Sequence, residues 1–125
     1  MNIKEIQKEI HKVNVKKGFW VGGDRNVGEM LMLVVSELGE AIEAHRSGRK
    51  ALVELFNVKE IDRTEPSDYQ NDFEQCIKDT FEDEVADAVI RIMDMCEGLG
   101  IDLERHIDLK LEYNRTRPYK HGKKY

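Results

Sequence analysis

Apolar residues recur at spacings of three and four in four stretches of this chain, and no stretch of comparable length alternates as a strand would. Between residues 2 and about 15, Ile3, Ile6, Ile10 and Val13 line one face with Lys and Glu between them, which predicts an amphipathic first helix. Gly18, Gly22 and Gly23 then break the pattern around Phe19, Trp20 and Val21. Asn26 with Glu29 three residues on reads as a capping box that opens a second helix, from about 27 to 45. Met30, Leu31, Val34, Leu38, Ala41 and Ile42 give that helix a broad apolar face, and Gly48 is suited to close it in left-handed geometry.

Residues 46–70 are weakly periodic, with Leu52, Val53, Leu55, Phe56 and Ile61 ahead of the polar Thr64-Glu65-Pro66-Ser67-Asp68, and predict a short helix and a loop. A third main helix is expected from near Tyr69, carrying Phe73, Ile77, Phe81, Val85, Ala88, Val89, Ile92 and Cys96 and ending at Gly98 and Gly100. Asp102 can cap a fourth, packed through Leu103, Ile107 and Leu111 and stopped before Pro118. The predicted fold class is therefore all-α: a helical bundle of four main helices with a short extra helix between helices 2 and 3. One domain spans residues 1–118, and residues 119–125 form a basic tail.

Length and composition narrow this picture without changing it. At 125 residues and 40% hydrophobic content the chain builds one modest core, which association with further copies would extend. The longest apolar run, Met30-Leu31-Met32-Leu33-Val34-Val35, is too short to cross a bilayer, and the N-terminus has no secretory pattern, so no membrane partner and a cytoplasmic location are expected. Cys76 and Cys96 lack Cys-x-x-Cys spacing and read as small buried apolar residues. Residues 1–114 carry 15 basic and 25 acidic groups, whereas Arg115, Arg117, Lys120, Lys123 and Lys124 make the end positive. An acidic body repels nucleic acid and suits divalent cations.

Two acidic pairs carry the candidate chemistry. Glu37 and Glu40, and again Glu84 and Asp87, lie three apart on predicted helices, so each pair shares a face. If the two helices pack antiparallel, four carboxylates converge, and their repulsion calls for neutralisation by cations or by raised proton affinity. Mg²⁺ fits such an oxygen donor set and leaves coordination sites for phosphate oxygens; Mn²⁺ can substitute. Lys110, Asn114 and Arg117 fall on one face of the fourth helix and offer two cations and an amide to phosphate or sugar, or else remain exposed helix residues.

With these residues in place, the chain resembles the MazG-type all-α nucleoside triphosphate pyrophosphohydrolases. The resemblance rests on Ser36-Glu37-Leu38-Gly39-Glu40-Ala41-Ile42-Glu43-Ala44, on Glu82-Asp83-Glu84-Val85-Ala86-Asp87-Ala88-Val89-Ile90, and on Lys110-Leu111-Glu112-Tyr113-Asn114-Arg115-Thr116-Arg117-Pro118 followed by His121-Gly122-Lys123. Gly18-Phe19-Trp20 and Asn26 also look like such N-termini. The resemblance implies Mg²⁺ held by Glu37, Glu40, Glu84 and Asp87, with one glutamate orienting or deprotonating water. It implies cleavage of a nucleoside triphosphate between the α and β phosphates, giving a monophosphate and pyrophosphate, in a homodimer or homotetramer that cleans the nucleotide pool. The 43 residues between the acidic pairs exceed what is usual in that family.

Plainer roles stand beside these. Glu43, Glu82 and Asp83 fall off the predicted site face as solvated surface, though Glu43 could approach a metal, and Arg91 suits an ion pair with Asp87 one turn away. Trp20 and Phe19 can stack on a base or simply pack, and Asn26 can be only a cap. His11, His45, His106 and His121 lack Glu-x-x-His spacing, which argues against a di-iron or di-manganese bundle. A phosphoribosyl-ATP pyrophosphatase-like hydrolase and a non-enzymatic interaction protein with an acidic face are the competing functions.

Overall fold

Six α-helices and two 3₁₀ turns, with no strand, make up the regular structure: α1 Ile3–Lys16, α2 Val27–Arg46, α3 Val53–Lys59, α4 Pro66–Cys76, α5 Phe81–Gly98 and α6 Leu103–Arg115. They come from a computed structural model that describes residues 1–125. The class is all-α, as expected, but the helix count is six. Two compact units share the chain, one of residues 1–24 with 93–125 and one of residues 25–92, and α5 contributes to both.

In the first unit, the Asn2 side chain caps α1 by accepting the Glu5 N–H, and the Asp102 side chain caps α6 by accepting that of Arg105. The buried residue of α1 is not one of its isoleucines but Gln7, whose amide donates to Glu97 (2.8 Å) and to the Ile101 carbonyl (2.9 Å). Asp94 is also buried, and both of its oxygens accept the Trp20 indole N–H at 3.1 Å while His11 Nδ1 lies 2.8 Å from one of them. The Trp20 ring crosses α5 directly over Gly98, where a Cβ would fall inside contact distance of three indole carbons. Gly98→Ala is therefore expected to displace the indole and cost about 1 to 3 kcal/mol as overpacking. A lowered melting temperature together with a shift in the emission of the chain's single tryptophan checks this.

The second unit contains α2, α3, α4 and residues 81–92 of α5. Asn26 caps α2 by accepting the Glu29 N–H at 2.9 Å, and Gly48, at φ +68, closes it as the Arg49 N–H reaches back to the Ala44 carbonyl. The buried stripe of α2 runs Met30, Val34, Glu37, Ala41, Ala44, a strict three-and-four spacing that includes an acid. Leu31, Leu38 and Ile42, expected to pack inward, are each about half exposed.

Beyond α2 the sequence expectation needs correcting. Where a short helix and a loop were expected, α3 runs into a 3₁₀ turn at Glu60–Asp62, and α4 then starts at Pro66, with the Asp68 carboxylate accepting the N–H groups of Thr64 and Glu65. Phe56, Tyr69 and Phe73 pack edge to face between these helices, and Arg63 covers the Phe56 ring while pairing with Asp72 at 2.9 Å. The expected third helix also breaks at residues 77–80. Asp79 takes the left-handed conformation (φ 61), Thr80 Oγ1 accepts the Asp83 N–H, and the Asp83 carboxylate accepts the Asp79 N–H, so a new helix begins. Cys76 and Cys96 are buried and free, as their spacing suggested.

Candidate metal centre

The acidic centre belongs wholly to the second unit. Glu37 is buried because it occupies an interior position in the three-and-four register of α2, and Glu84 is buried one turn into α5, where the Thr80 cap sets the helix start. One carboxylate oxygen from each of Glu37, Glu84 and Asp87 lies within 4.8 Å of the others. Glu40, one turn after Glu37 and exposed, lines one cavity with Glu84. All four carboxylates expected from the sequence are thus neighbours. Asn26, by contrast, serves as the α2 cap.

Packing like charges this closely raises their proton affinity. Glu84 is pushed up to about 7, first by burial, then by its hydrogen bond with Glu40 and by the charges of Glu40, Asp87 and Glu37. Burial also raises Asp87, helped by the charges of Asp83 and Glu37 and opposed by Arg91. Arg91 does not make the pairing with Asp87 that its spacing suggested. Its Nε donates instead to Glu37 Oε1 on α2 at 2.6 Å, so a single guanidinium partly compensates the centre.

A second triad, Asp79, Asp83 and Glu84, shares Glu84 with the first. Asp83 therefore borders the centre, where the sequence had placed it on solvated surface. Glu82 does lie outside the triads: it is exposed and accepts the Ala51 N–H. Glu43 pairs with Arg46 and lines, with Glu40, Arg49, Asp79 and Glu84, a cavity of about 570 Å³. Arg49 Nε donates to the Asp79 carbonyl at 3.0 Å. Asp79 was missed for want of a Glu-x-x-Asp phrase, although Thr80-x-x-Asp83 is a helix-start signal that would have put it at the head of α5.

The donor set consists of hard carboxylate oxygens, with Glu37 and Glu84 buried and Asp87 half-buried, and is short of positive charge, which fits Mg²⁺ or Mn²⁺ and does not suit a soft metal.

The other expected binding residues belong to the first unit. Lys110 and Arg117 both approach the Tyr113 ring, at 4.9 and 5.4 Å, and Asn114 keeps a buried side-chain oxygen with no partner. Trp20 is held by Asp94, and His11, expected at the surface, joins the same group. Comparison with protein-family models, with curated proteins and with solved structures gives no match to this chain.

Proposed function

We propose that this chain is a MazG-type, Mg²⁺-dependent nucleoside triphosphate pyrophosphohydrolase. One observation carries the reading: the carboxylates of two Glu-x-x-acid phrases, distant in sequence, meet at one centre in which Glu37 and Glu84 are buried. Glu37, Glu84 and Asp87 would hold the cation, with Glu40 at its edge. When bound, Mg²⁺ polarises phosphoryl oxygens and lowers the pKa of a neighbouring water.

The chain's own residues do the rest. Glu40 faces the cavity beside Glu84 and stands outside the triad, so it is the carboxylate placed to orient a water and take its proton. The oxygen of that water attacks the α phosphorus, the α–β anhydride bond breaks, and the bonding pair leaves with pyrophosphate. Arg49 lines the same cavity and offers a cation to phosphate oxygens, while Arg91 holds Glu37 in place.

Apolar surface supports assembly into a homodimer or homotetramer. Leu31, Met32, Val35, Leu38 and Ile42 of α2 are each about half exposed or more, although a helix this apolar normally buries such residues. A cytoplasmic nucleotide-pool role follows from the same reading.

The test is incubation with a panel of nucleoside triphosphates and Mg²⁺, with phosphoribosyl-ATP included and products identified, beside sedimentation to count subunits. Pyrophosphate and a nucleoside monophosphate are expected from an oligomer. Release of orthophosphate would move the cleaved bond, turnover of phosphoribosyl-ATP alone would favour that hydrolase, and silence without Mg²⁺ binding would favour an interaction protein.

A further inference from the structure

α4 belongs to the stretch that lengthens the separation between the two acidic phrases, and it builds a cavity whose α4 end has no part in the proposed chemistry. About 480 Å³ in volume, the cavity lies in the second unit and is lined by Tyr69, Gln70 and Phe73 of α4, by Lys78, and by Asp83 and Asp87 of α5. That volume falls within the range of sites for small organic ligands. Its two ends differ in chemistry. Asp87 also belongs to the triad with Glu37 and Glu84, and Asp83 to the triad with Asp79 and Glu84, so one end of the cavity is the acidic centre itself. The other end presents the rings of Tyr69 and Phe73, the Gln70 amide and the Glu74 carboxylate, with the Arg63 guanidinium 5.3 Å from the centre of the Tyr69 ring.

We infer that this cavity is a nucleoside pocket, in which the base lies against Tyr69 while the phosphates of the same molecule reach the acidic centre past Asp87. The inference rests on the proposed hydrolase reading for the phosphate end and on α4 for the base end. Tyr69 is 55% exposed, yet its ring is set by edge contact with Phe56 at 5.4 Å and lies nearly parallel to Phe73 (17°). A large aromatic held in place and half open to solvent is a ready stacking surface, since every base has a π-face. Gln70 is tied only to Glu74 of its own helix, at 3.1 Å, in an exposed contact. Exposed pairs of that kind contribute little, so the amide can turn to the edge of a base. Lys78, paired with Asp79 at 2.9 Å, places a cation at the wall nearest the second triad, where phosphate oxygens would pass.

The experiment measures calorimetric binding of a panel of nucleoside monophosphates, and of inorganic tripolyphosphate, to the full chain in Mg²⁺. Tyr69→Phe keeps the ring, and Tyr69→Leu keeps apolar packing against Phe56 without a π-face. Monophosphate binding is expected to weaken about tenfold in Tyr69→Leu and to stay near wild type in Tyr69→Phe, with tripolyphosphate and Mg²⁺ binding unchanged in both. Equal weakening of tripolyphosphate would make Tyr69 a structural residue and overturn the inference. Unchanged monophosphate binding in Tyr69→Leu, or no monophosphate binding by the wild type, would overturn it too. Pyrophosphate release by the wild type judges the hydrolase reading separately, so the two can fail apart.

Discussion

Asp87→Asn is expected to abolish turnover and to weaken Mg²⁺ binding by at least tenfold, while Glu40→Gln abolishes turnover and leaves Mg²⁺ binding within a few-fold. The contrast follows from the two positions. Asp87 supplies one of the three oxygens that converge within 4.8 Å, and an amide there removes a negative ligand without changing shape. Glu40 stands outside that triad, beside Glu84 and facing the cavity, so its loss removes the group that takes the proton. General-base removal typically costs about 10² to 10⁴ in rate. Neither variant should unfold the chain, because each relieves repulsion among the carboxylates. Pyrophosphate release, Mg²⁺ titration and far-ultraviolet circular dichroism check the three parts. Full activity in both variants would refute the metal assignment, and a wild-type rate with weakened metal binding in Glu40→Gln would exchange the two roles.

Three helices were legible from periodicity, two of them from caps as well: Asn26 and Asp102 stand where α2 and α6 begin, and Gly48 ends α2 in the left-handed geometry expected of it. The region between α2 and α5 was misread because the spacing of Phe73, Ile77 and Phe81 runs on through a backbone break. Periodicity records which residues are apolar and says nothing of the backbone between them. An aspartate can take positive φ without the glycine that usually advertises it, and the Thr80-x-x-Asp83 cap was the overlooked cue.

The acidic pairs were legible, but the reason they meet was not. Reading α2 by hydrophobicity put Leu31, Leu38 and Ile42 inside, whereas the interior register is Met30, Val34, Glu37, Ala41 and Ala44. On α5, Val85 and Val89 are partly exposed while Glu84 is buried. A glutamate that falls in the register of an otherwise apolar stripe is buried at an energetic cost, and on both helices that cost falls at the candidate centre. Asp94 and Gln7 follow the same logic in the first unit. Each is buried through side-chain partners, Trp20 and His11 for Asp94 and Glu97 for Gln7, that lie too far away in sequence for spacing to reveal.

Burial of Glu84 has a thermodynamic consequence that can be measured without substrate. Its carboxyl group titrates near 7 in the folded chain against an ordinary value of 4.5, so between those values the folded state binds the proton more tightly than the unfolded state does. Stability therefore falls as pH rises through this window and levels off above about 7. Asp87, also raised, adds to the same trend, whereas Asp68, Glu82 and Asp102 are held below their ordinary values by backbone N–H groups and lose their contribution only at more acid pH. In a chelator, the melting temperature of the wild type is expected to drop between pH 5 and 8, and Glu84→Gln to drop much less and to melt higher than wild type at pH 8. Mg²⁺ reverses the trend in the wild type, because its ligands must be deprotonated: added cation should stabilise little at pH 5 and most at pH 8. Melting curves at four pH values, with chelator and with Mg²⁺, contain the whole test. Parallel curves for wild type and Glu84→Gln in chelator would mean that Glu84 ionises as freely in the folded chain as in the unfolded one, and the buried acidic centre would lose its electrostatic basis.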